Sequence, residues 1–135
     1  MPRFSIKSNS ILATCERDIQ TVMHEVIKIV DITAFSGHRT PEEQAKLYAQ
    51  GRTTKGNIIT YRDGTEKKSK HNYMPSKAID IIPYPSGWKD KERFYYVAGV
   101  VMTVAARLWK EGKIEKQLEW GGNWKNFKDT PHFQV

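Results

Sequence analysis

The chain has a single cysteine, Cys15, and this scarcity excludes two kinds of cross-link. One thiol cannot form a disulfide within the chain, and it cannot build a zinc site from several cysteines. Any metal that this protein binds must therefore be held by histidine and carboxylate side chains. Cys15 itself falls in an apolar helical pattern, where we expect a small buried side chain and not a nucleophile.

Long apolar runs are also lacking. The N-terminal residues, MPRFSIKSNS, have no apolar core of the 7–15 residues that a secretory signal needs. No other stretch is long and apolar enough to span a bilayer. We therefore expect the protein to be made as a cytosolic species. If its substrate lies outside the membrane, another factor must let the protein cross that membrane.

No internal repeat, linker or low-complexity segment interrupts the 135 residues, so we expect one domain covering residues 1–135. The 22 lysines and arginines exceed the 15 acids and give a formal net charge of +7. This charge favours polyanionic surroundings such as nucleic acid, anionic lipid or a phosphate-bearing cell wall. Specific binding of nucleic acid is not expected, because the sequence contains no recognition motif for it.

Two long amphipathic patterns predict helices. Apolar residues recur every three or four positions from 10 to 30, and again in a segment that begins at Lys91 and is ended by Gly112. Between them, residues 40–43 read Thr-Pro-Glu-Glu, which predicts a helix start with a capping box. Runs at 31–36 and 77–82 predict short strands. The expected fold is α+β, with a small, mainly antiparallel sheet packed against two long amphipathic helices.

The stretch Ser69–Pro83, SKHNYMPSKAIDIIP, contains the most unusual placement of charge. Asp80 lies inside an apolar, β-branched run, where an ionised carboxylate must find a charge or a strong hydrogen bond. A metal ion would supply that partner. His71 lies in the polar segment just before this strand and is a candidate ligand of the same ion.

A second histidine and a second acid, His132 and Asp129, lie close to the C-terminus. Together with His71 and Asp80, His132 completes a set of two histidines and one aspartate. Catalytic zinc uses such three-ligand sets and keeps a fourth position for water. Asp129 would then be the general acid/base of a hydrolase. In the alternative interpretation these are surface histidines and a capping aspartate, since no local motif links them.

Arg39 lies at a junction between a predicted strand and a predicted helix, in the sequence SGHRT. Its planar fork of donors suits an oxyanion or a carboxylate, although an ordinary surface arginine is the alternative. Further on, residues 52–70 carry six lysines and arginines. Within it we expect a small hairpin that turns at Asp63-Gly64, and the segment is either a solvated loop or a flap that grips a polyanionic polymer.

Three segments occur in an order and separation typical of one family: SGHRTPEEQAKLYAQGR, SKHNYMPSKAIDIIPYP and WGGNWKNFKDTPHFQV. The chain resembles the D-alanyl-D-alanine carboxypeptidase (VanY-like) family of zinc peptidases, and most of all its bacteriophage L-alanyl-D-glutamate peptidase endolysins. The likeness runs from about residue 35 to residue 135. It implies a hedgehog/DD-peptidase-like fold with zinc bound on the sheet.

The resemblance also implies roles for individual residues. It assigns the ligands of Zn²⁺ to His71, Asp80 and His132. Catalysis falls to Asp129 and Arg39, and substrate binding to Arg39, Ser69 and Gln44. This chain departs from many relatives at Asn123 and Gln134, where acids are common. We expect these departures to alter the partners of the metal ligands without loss of zinc.

The implied function is that of a phage or prophage endolysin, a monomer that hydrolyses a peptide bond of the peptidoglycan stem peptide, L-Ala-D-Glu, and so lyses the cell. It would wait in the host cytoplasm and reach the cell wall or periplasm through a holin-type membrane lesion. Two alternatives are a D,D- or L,D-carboxypeptidase that trims terminal D-Ala, and a non-catalytic, zinc-stabilised wall-binding module.

Overall fold

The computed structural model describes residues 2–135 and shows helices packed on a four-stranded sheet. The helices are α1 (Ile6–Leu12), α2 (Arg17–Val26), α3 (Pro41–Ala49) and α4 (Lys91–Lys110). The strands are β1 (Ile32–Ser36), β2 (Ala78–Pro83), β3 (Glu119–Trp120) and β4 (His132–Gln134), with short 3-10 turns at Lys70–Asn72 and Gly121–Asn123. None of these helices is both long and apolar enough to cross a membrane.

The sheet has the strand order β1-β2-β4-β3, and every neighbouring pair is antiparallel. Asp80, in the middle of β2, pairs with His132 of β4 on one side. On its other side, past an irregularity in β1, it pairs with Ser36. The expected α+β class with an antiparallel sheet is therefore confirmed.

The two faces of the sheet have different surroundings because successive side chains of a strand point to opposite sides. Ile79, Ile81 and Phe133 are at most 1% exposed and belong to the hydrophobic core. Helices α2 and α4 cover that face with apolar side chains, among them Ile19, Val22, Met23, Val26, Val97 and Val101. Asp80 and His132 alternate with these core residues, so they lie on the face that α2 and α4 leave free.

The long first helix predicted over residues 10–30 is wrong, because the chain forms two short helices there. Helix α1 begins earlier, at Ile6, where the Ser5 hydroxyl accepts a hydrogen bond from the Ser8 amide (3.0 Å). Between the helices, the chain pairs with Ser76, whose amide donates to Thr14 and whose carbonyl accepts from Glu16. These bonds to a distant segment replace the helical bonds that would have joined α1 to α2.

The basic segment forms irregular loops, and the predicted hairpin is wrong. No strand lies between α3 and the 3-10 turn at Lys70–Asn72. The Asp63 carboxylate accepts hydrogen bonds from the amides of Thr65 (2.9 Å) and Lys67 (3.0 Å). These side-chain bonds hold a local turn in place of a strand ladder, as is typical of aspartate.

Gly37 allows β1 to pass directly over the end of α1. A Cβ atom at this position would meet the Thr14 hydroxyl and lie 2.7 Å from the Ile11 carbonyl oxygen. The same hydroxyl accepts a hydrogen bond from the His38 amide (2.9 Å). The start of the segment that leads into α3 therefore depends on a residue without a side chain.

We expect Gly37→Ala to lower the free energy of unfolding by roughly 1–3 kcal/mol, because α1 and β1 must move apart. Gly99→Ala is the matched control: Gly99 lies within α4, and a Cβ there would meet nothing within 4 Å. The control should leave stability unchanged or raise it by up to about 1 kcal/mol. Thermal unfolding followed by circular dichroism measures both, and equal unfolding temperatures would contradict this close packing of Gly37 against α1.

Candidate metal centre

Three buried side chains bring metal-binding atoms together above the free face of the sheet. Asp80 and His132 come from paired positions of β2 and β4, and His71 from the 3-10 turn beside them. The Oδ1 atom of Asp80 lies 3.5 Å from His71 Nε2 and 3.5 Å from His132 Nδ1. One ligand atom from each residue lies within 4.8 Å of the other two. The three residues singled out in the sequence therefore form one group.

The His71 ring is oriented by the backbone. Its Nδ1 atom lies 2.7 Å from the Gly37 carbonyl oxygen, which only accepts hydrogen bonds, so Nδ1 carries the proton. The lone pair is thus on Nε2, the atom that faces Asp80. Ser69 caps the turn that carries the ring, and its hydroxyl accepts a hydrogen bond from the His71 amide (3.2 Å). This places the predicted substrate residue Ser69 in a supporting position at the rim of the site.

The group fits a divalent metal cation. His71 Nε2 and Asp80 Oδ1 are buried and have no hydrogen-bond partner in the described part of the chain. An imidazole lone pair and an ionised oxygen left unpaired in this way are costly, and a cation would satisfy both. Two nitrogens and one oxygen are ligands that zinc accepts, as do several other transition metals. The choice of zinc among them stays a prediction.

The other oxygen of Asp80 accepts a hydrogen bond from Arg39. The Arg39 guanidinium donates from Nη2 to Asp80 Oδ2 (2.9 Å), from Nε to Ser36 Oγ (3.1 Å) and from Nη1 to Gln44 Oε1 (3.0 Å). Three of its nitrogens are thereby used inside the protein. The sequence predicted that this guanidinium binds substrate. In the structure it binds Asp80 Oδ2 and so orients Asp80 Oδ1 towards the two histidines.

The protonation states of Asp80 and His71 suit metal binding. Burial would raise the pKa of Asp80, but His71 and His132 hold it well below its usual range, so the carboxylate is ionised. Burial lowers the pKa of His71 and favours the neutral ring that a metal requires. At His132 burial also acts to lower the pKa, but the neighbouring Asp80 carboxylate outweighs burial and raises it.

Gln44 is not brought to the cleft, although sequence reasoning placed it among the substrate-binding residues. It is 0% exposed, and its polar atoms are occupied inside the protein. Its oxygen accepts from Arg39, and its nitrogen lies 3.0 Å from the Arg62 carbonyl oxygen and 3.3 Å from the Thr60 hydroxyl. Gln44 therefore joins the basic segment to the arginine that holds Asp80.

Asp129 lies beside the three-residue group without being part of it. Its amide donates a hydrogen bond to the Gly121 carbonyl (3.0 Å), and its carboxylate lies 3.8 Å from His132 Nδ1. A Cβ atom at Gly121 would collide with the Asp129 backbone, so this approach requires glycine. Burial and the nearby Asp80 raise the pKa of Asp129 to about 6. A carboxyl group with this pKa can take up and release a proton near neutral pH.

The site opens into a cleft of about 1340 Å³. The basic segment forms one wall and the loop before Asp129 another, and the Tyr61 and Phe127 rings meet edge to face at 5.1 Å. The cleft is lined by five cationic side chains that form no ion pair with any residue of the described range, namely Lys46, Arg62, Lys68, Lys70 and Lys128. Its walls are thus suited to an anionic ligand.

A family model described as D-alanyl-D-alanine carboxypeptidase matches residues 63–135. The chain belongs to this family. The region matched by the family model contains His71, Asp80, Asp129 and His132. Arg39 and Gln44 lie before it. The family resemblance drawn from the sequence motifs is therefore confirmed.

Two relatives are similar over most of this family member. It is 36% identical over 118 residues to the peptidoglycan L-alanyl-D-glutamate endopeptidase CwlK of Bacillus subtilis (strain 168), covering 80% of this chain and 62% of that relative. The crystal structure of the Serratia marcescens L-Ala D-Glu endopeptidase ChiX matches with a TM-score of 0.70 and 22% identity, covering 99% of this chain and 90% of that one. The second likeness shows a shared fold.

Several residues that support the site carry no signal in the sequence that identifies them. Ser36 and the Gly37 carbonyl act on Arg39 and His71, and no side-chain pattern distinguishes them in the sequence. Gln134 was noted as a departure near the ligands, and it does contact His132 directly at 2.7 Å. Glu119, which contacts Gln134, carried no signal because the two residues become neighbours only when β3 pairs with β4.

We expect Arg39→Lys to weaken metal binding about tenfold, because a single ammonium group cannot reach Asp80, Ser36 and Gln44 together. Arg62→Lys is the matched control, since the Arg62 guanidinium lines the cleft and makes no hydrogen bond within residues 2–135. Competition with a chelator of known affinity measures the change. An unaltered affinity in Arg39→Lys would show that Arg39 does not position Asp80.

Proposed function

We propose that this protein is a metal-dependent peptidoglycan endopeptidase that hydrolyses the L-alanyl-D-glutamate bond of the stem peptide. One observation carries the proposal: a buried His-Asp-His group lies beside an acid with a pKa of about 6, at the floor of an open cleft. The names of two relatives, both L-alanyl-D-glutamate endopeptidases, support the choice of bond.

The chemistry follows from the groups in the cleft. A divalent cation held by His71, Asp80 and His132 would supply Lewis-acid polarisation. Asp129 accepts the proton of the attacking water as the new carbon–oxygen bond forms. It then gives that proton to the amine nitrogen as the carbon–nitrogen bond breaks, so one carboxylate serves both steps. Arg39 orients Asp80 by donating a hydrogen bond to Oδ2, the oxygen that does not face the histidines.

The charges of the cleft support an acidic substrate. In a stem peptide cut between L-Ala and D-Glu, the D-Glu residue carries a free carboxylate next to the scissile bond. The unpaired cations Lys46, Arg62, Lys68, Lys70 and Lys128 line the same cleft. Carboxylates are attracted to such surroundings, most strongly where water is partly excluded. This complementarity gives the basic segment a role in substrate binding.

Mass spectrometry of a digest of defined muropeptides tests the proposal. The metal-loaded protein should separate L-Ala from D-Glu and leave terminal D-Ala in place, and a chelator should abolish the reaction. Asp129→Asn is the matched variant, since it keeps the shape of the side chain but cannot accept the proton. We expect it to retain bound metal and to lose activity by about 10²–10⁴-fold.

The other outcomes separate the alternatives. Release of terminal D-Ala alone would make the protein a D,D- or L,D-carboxypeptidase, in line with the description of its family. Binding of the intact protein to insoluble cell wall, with no product from any muropeptide, would make it a non-catalytic wall-binding module. Full activity of Asp129→Asn would contradict the assigned role of Asp129.

We also propose that the protein serves phage or prophage lysis, acting as a monomer from the host cytoplasm after a holin-type membrane lesion. The net charge of +7 supports it, because the bacterial envelope is anionic. Cells that express the protein should remain intact until a membrane lesion is induced, and turbidity should then fall. A fall in turbidity without any membrane lesion would contradict this localisation.

A further inference from the structure

Both nitrogens of the His132 ring have a polar neighbour, but only the contact at Nε2 is a hydrogen bond. Its Nδ1 atom faces Asp80 Oδ1 at 3.5 Å, and its Nε2 atom lies 2.7 Å from Gln134 Oε1. A neutral imidazole carries a proton on one nitrogen and a lone pair on the other. If Nδ1 is the atom that faces the metal, the proton must be on Nε2.

A glutamine alone cannot enforce that choice. Its amide offers an oxygen that accepts and a nitrogen that donates, and a half-turn exchanges them. The amide of Gln134 could therefore stabilise either protonation pattern of the neighbouring ring. What decides its direction is the contact at its far end.

Glu119 makes that contact. The Gln134 amide nitrogen donates to Glu119 Oε2 at 3.0 Å, and an ionised carboxylate can only accept. The nitrogen of Gln134 must therefore face Glu119, which leaves its oxygen facing His132. An oxygen at 2.7 Å requires a proton on His132 Nε2, and the lone pair is then on Nδ1.

The carboxylate of Glu119 is itself oriented by a hydrogen bond from Trp124. The indole nitrogen of Trp124, which only donates, lies 2.8 Å from Glu119 Oε1. Glu119 forms no ion pair with a basic side chain in residues 2–135. The register of the sheet pairs Glu119 with Gln134, so both side chains lie on the same face of β3 and β4.

We propose that Glu119 is a positioning residue for metal binding: through Gln134 it selects the His132 tautomer whose Nδ1 lone pair faces Asp80. Glu119 makes no contact with the ligand group itself. His71 reaches the equivalent state by another route, since its Nδ1 proton is held by the Gly37 carbonyl, which no side-chain substitution removes. The proposal concerns the ring and its metal affinity, and it does not depend on which bond the protein cleaves.

Nitrogen-15 NMR of the histidine rings tests the proposal on metal-free protein near pH 8. The wild-type spectrum should show the proton of His132 on Nε2. In Glu119→Ala we expect a mixture of both tautomers and about tenfold weaker metal binding, a typical effect for a residue that orients a ligand. His71 should keep its proton on Nδ1 in every variant and provides an internal reference.

A double variant separates this role from a merely structural one. Gln134→Glu alone places two carboxylates side by side and should disturb the ring and metal affinity. Combined with Glu119→Gln, the direction of the hydrogen bonds is restored, because the new amide donates to the new carboxylate, which accepts from His132. We expect the double variant to regain the wild-type tautomer and most of the affinity.

Glu115→Ala serves as the control, since Glu115 is exposed and its side chain forms no hydrogen bond or ion pair in the described residues. It should leave the tautomer and metal affinity unchanged. Thermal unfolding of each variant shows whether it is folded. The proposal is overturned if Glu119→Ala, as a folded protein, keeps both the Nε2 proton of His132 and the wild-type affinity, or if the double variant fails to recover either.

Discussion

A carboxylate in the centre of the sheet is the constraint on which the rest of the site depends. Asp80 lies on β2, one of the two inner strands, is 7% exposed and carries a negative charge. Water cannot stabilise that charge, so protein groups must. Arg39 satisfies one oxygen at 2.9 Å, and the other is left facing two histidines. Arg39 thus takes one oxygen of the carboxylate, and the other is free to serve as a ligand of a metal ion together with the two histidines.

In the arrangement proposed above, the surrounding groups turn the lone pair of each histidine towards the candidate metal site beside that carboxylate. For His71 this is done by the backbone, because the junction between β1 and α3 places the Gly37 carbonyl against the ring. For His132 it is done by side chains across β3 and β4. Both arrangements use groups that are not metal ligands. They explain why a small domain with two-residue and three-residue strands can hold a defined site.

The parts of the fold that were predicted correctly are those specified by local physics. Helix α3 begins at Thr40 with the expected capping box to Glu43 because these residues satisfy each other's backbone groups. Helix α4 follows its apolar stripe from Lys91 to Lys110. The division of the first helix was not predictable in this way, since it depends on bonds to Ser76 on a distant segment. Periodicity describes which residues are buried and not where a helix is interrupted.

The sequence by itself determined which chemical groups are available: one thiol, few histidines, and an aspartate embedded in an apolar strand that demands a positive partner. It also determined the family, because the order of the motifs along the chain can be read without the structure. Only the tertiary structure decided how these groups are used. Arg39 is bonded to Asp80 and Gln44, and Gln44 is buried between this arginine and the basic segment. Glu119 joined the site because strand pairing brought it beside Gln134, and hydrogen-bond direction, which depends on three-dimensional neighbours, then selected the nitrogen that each histidine offers.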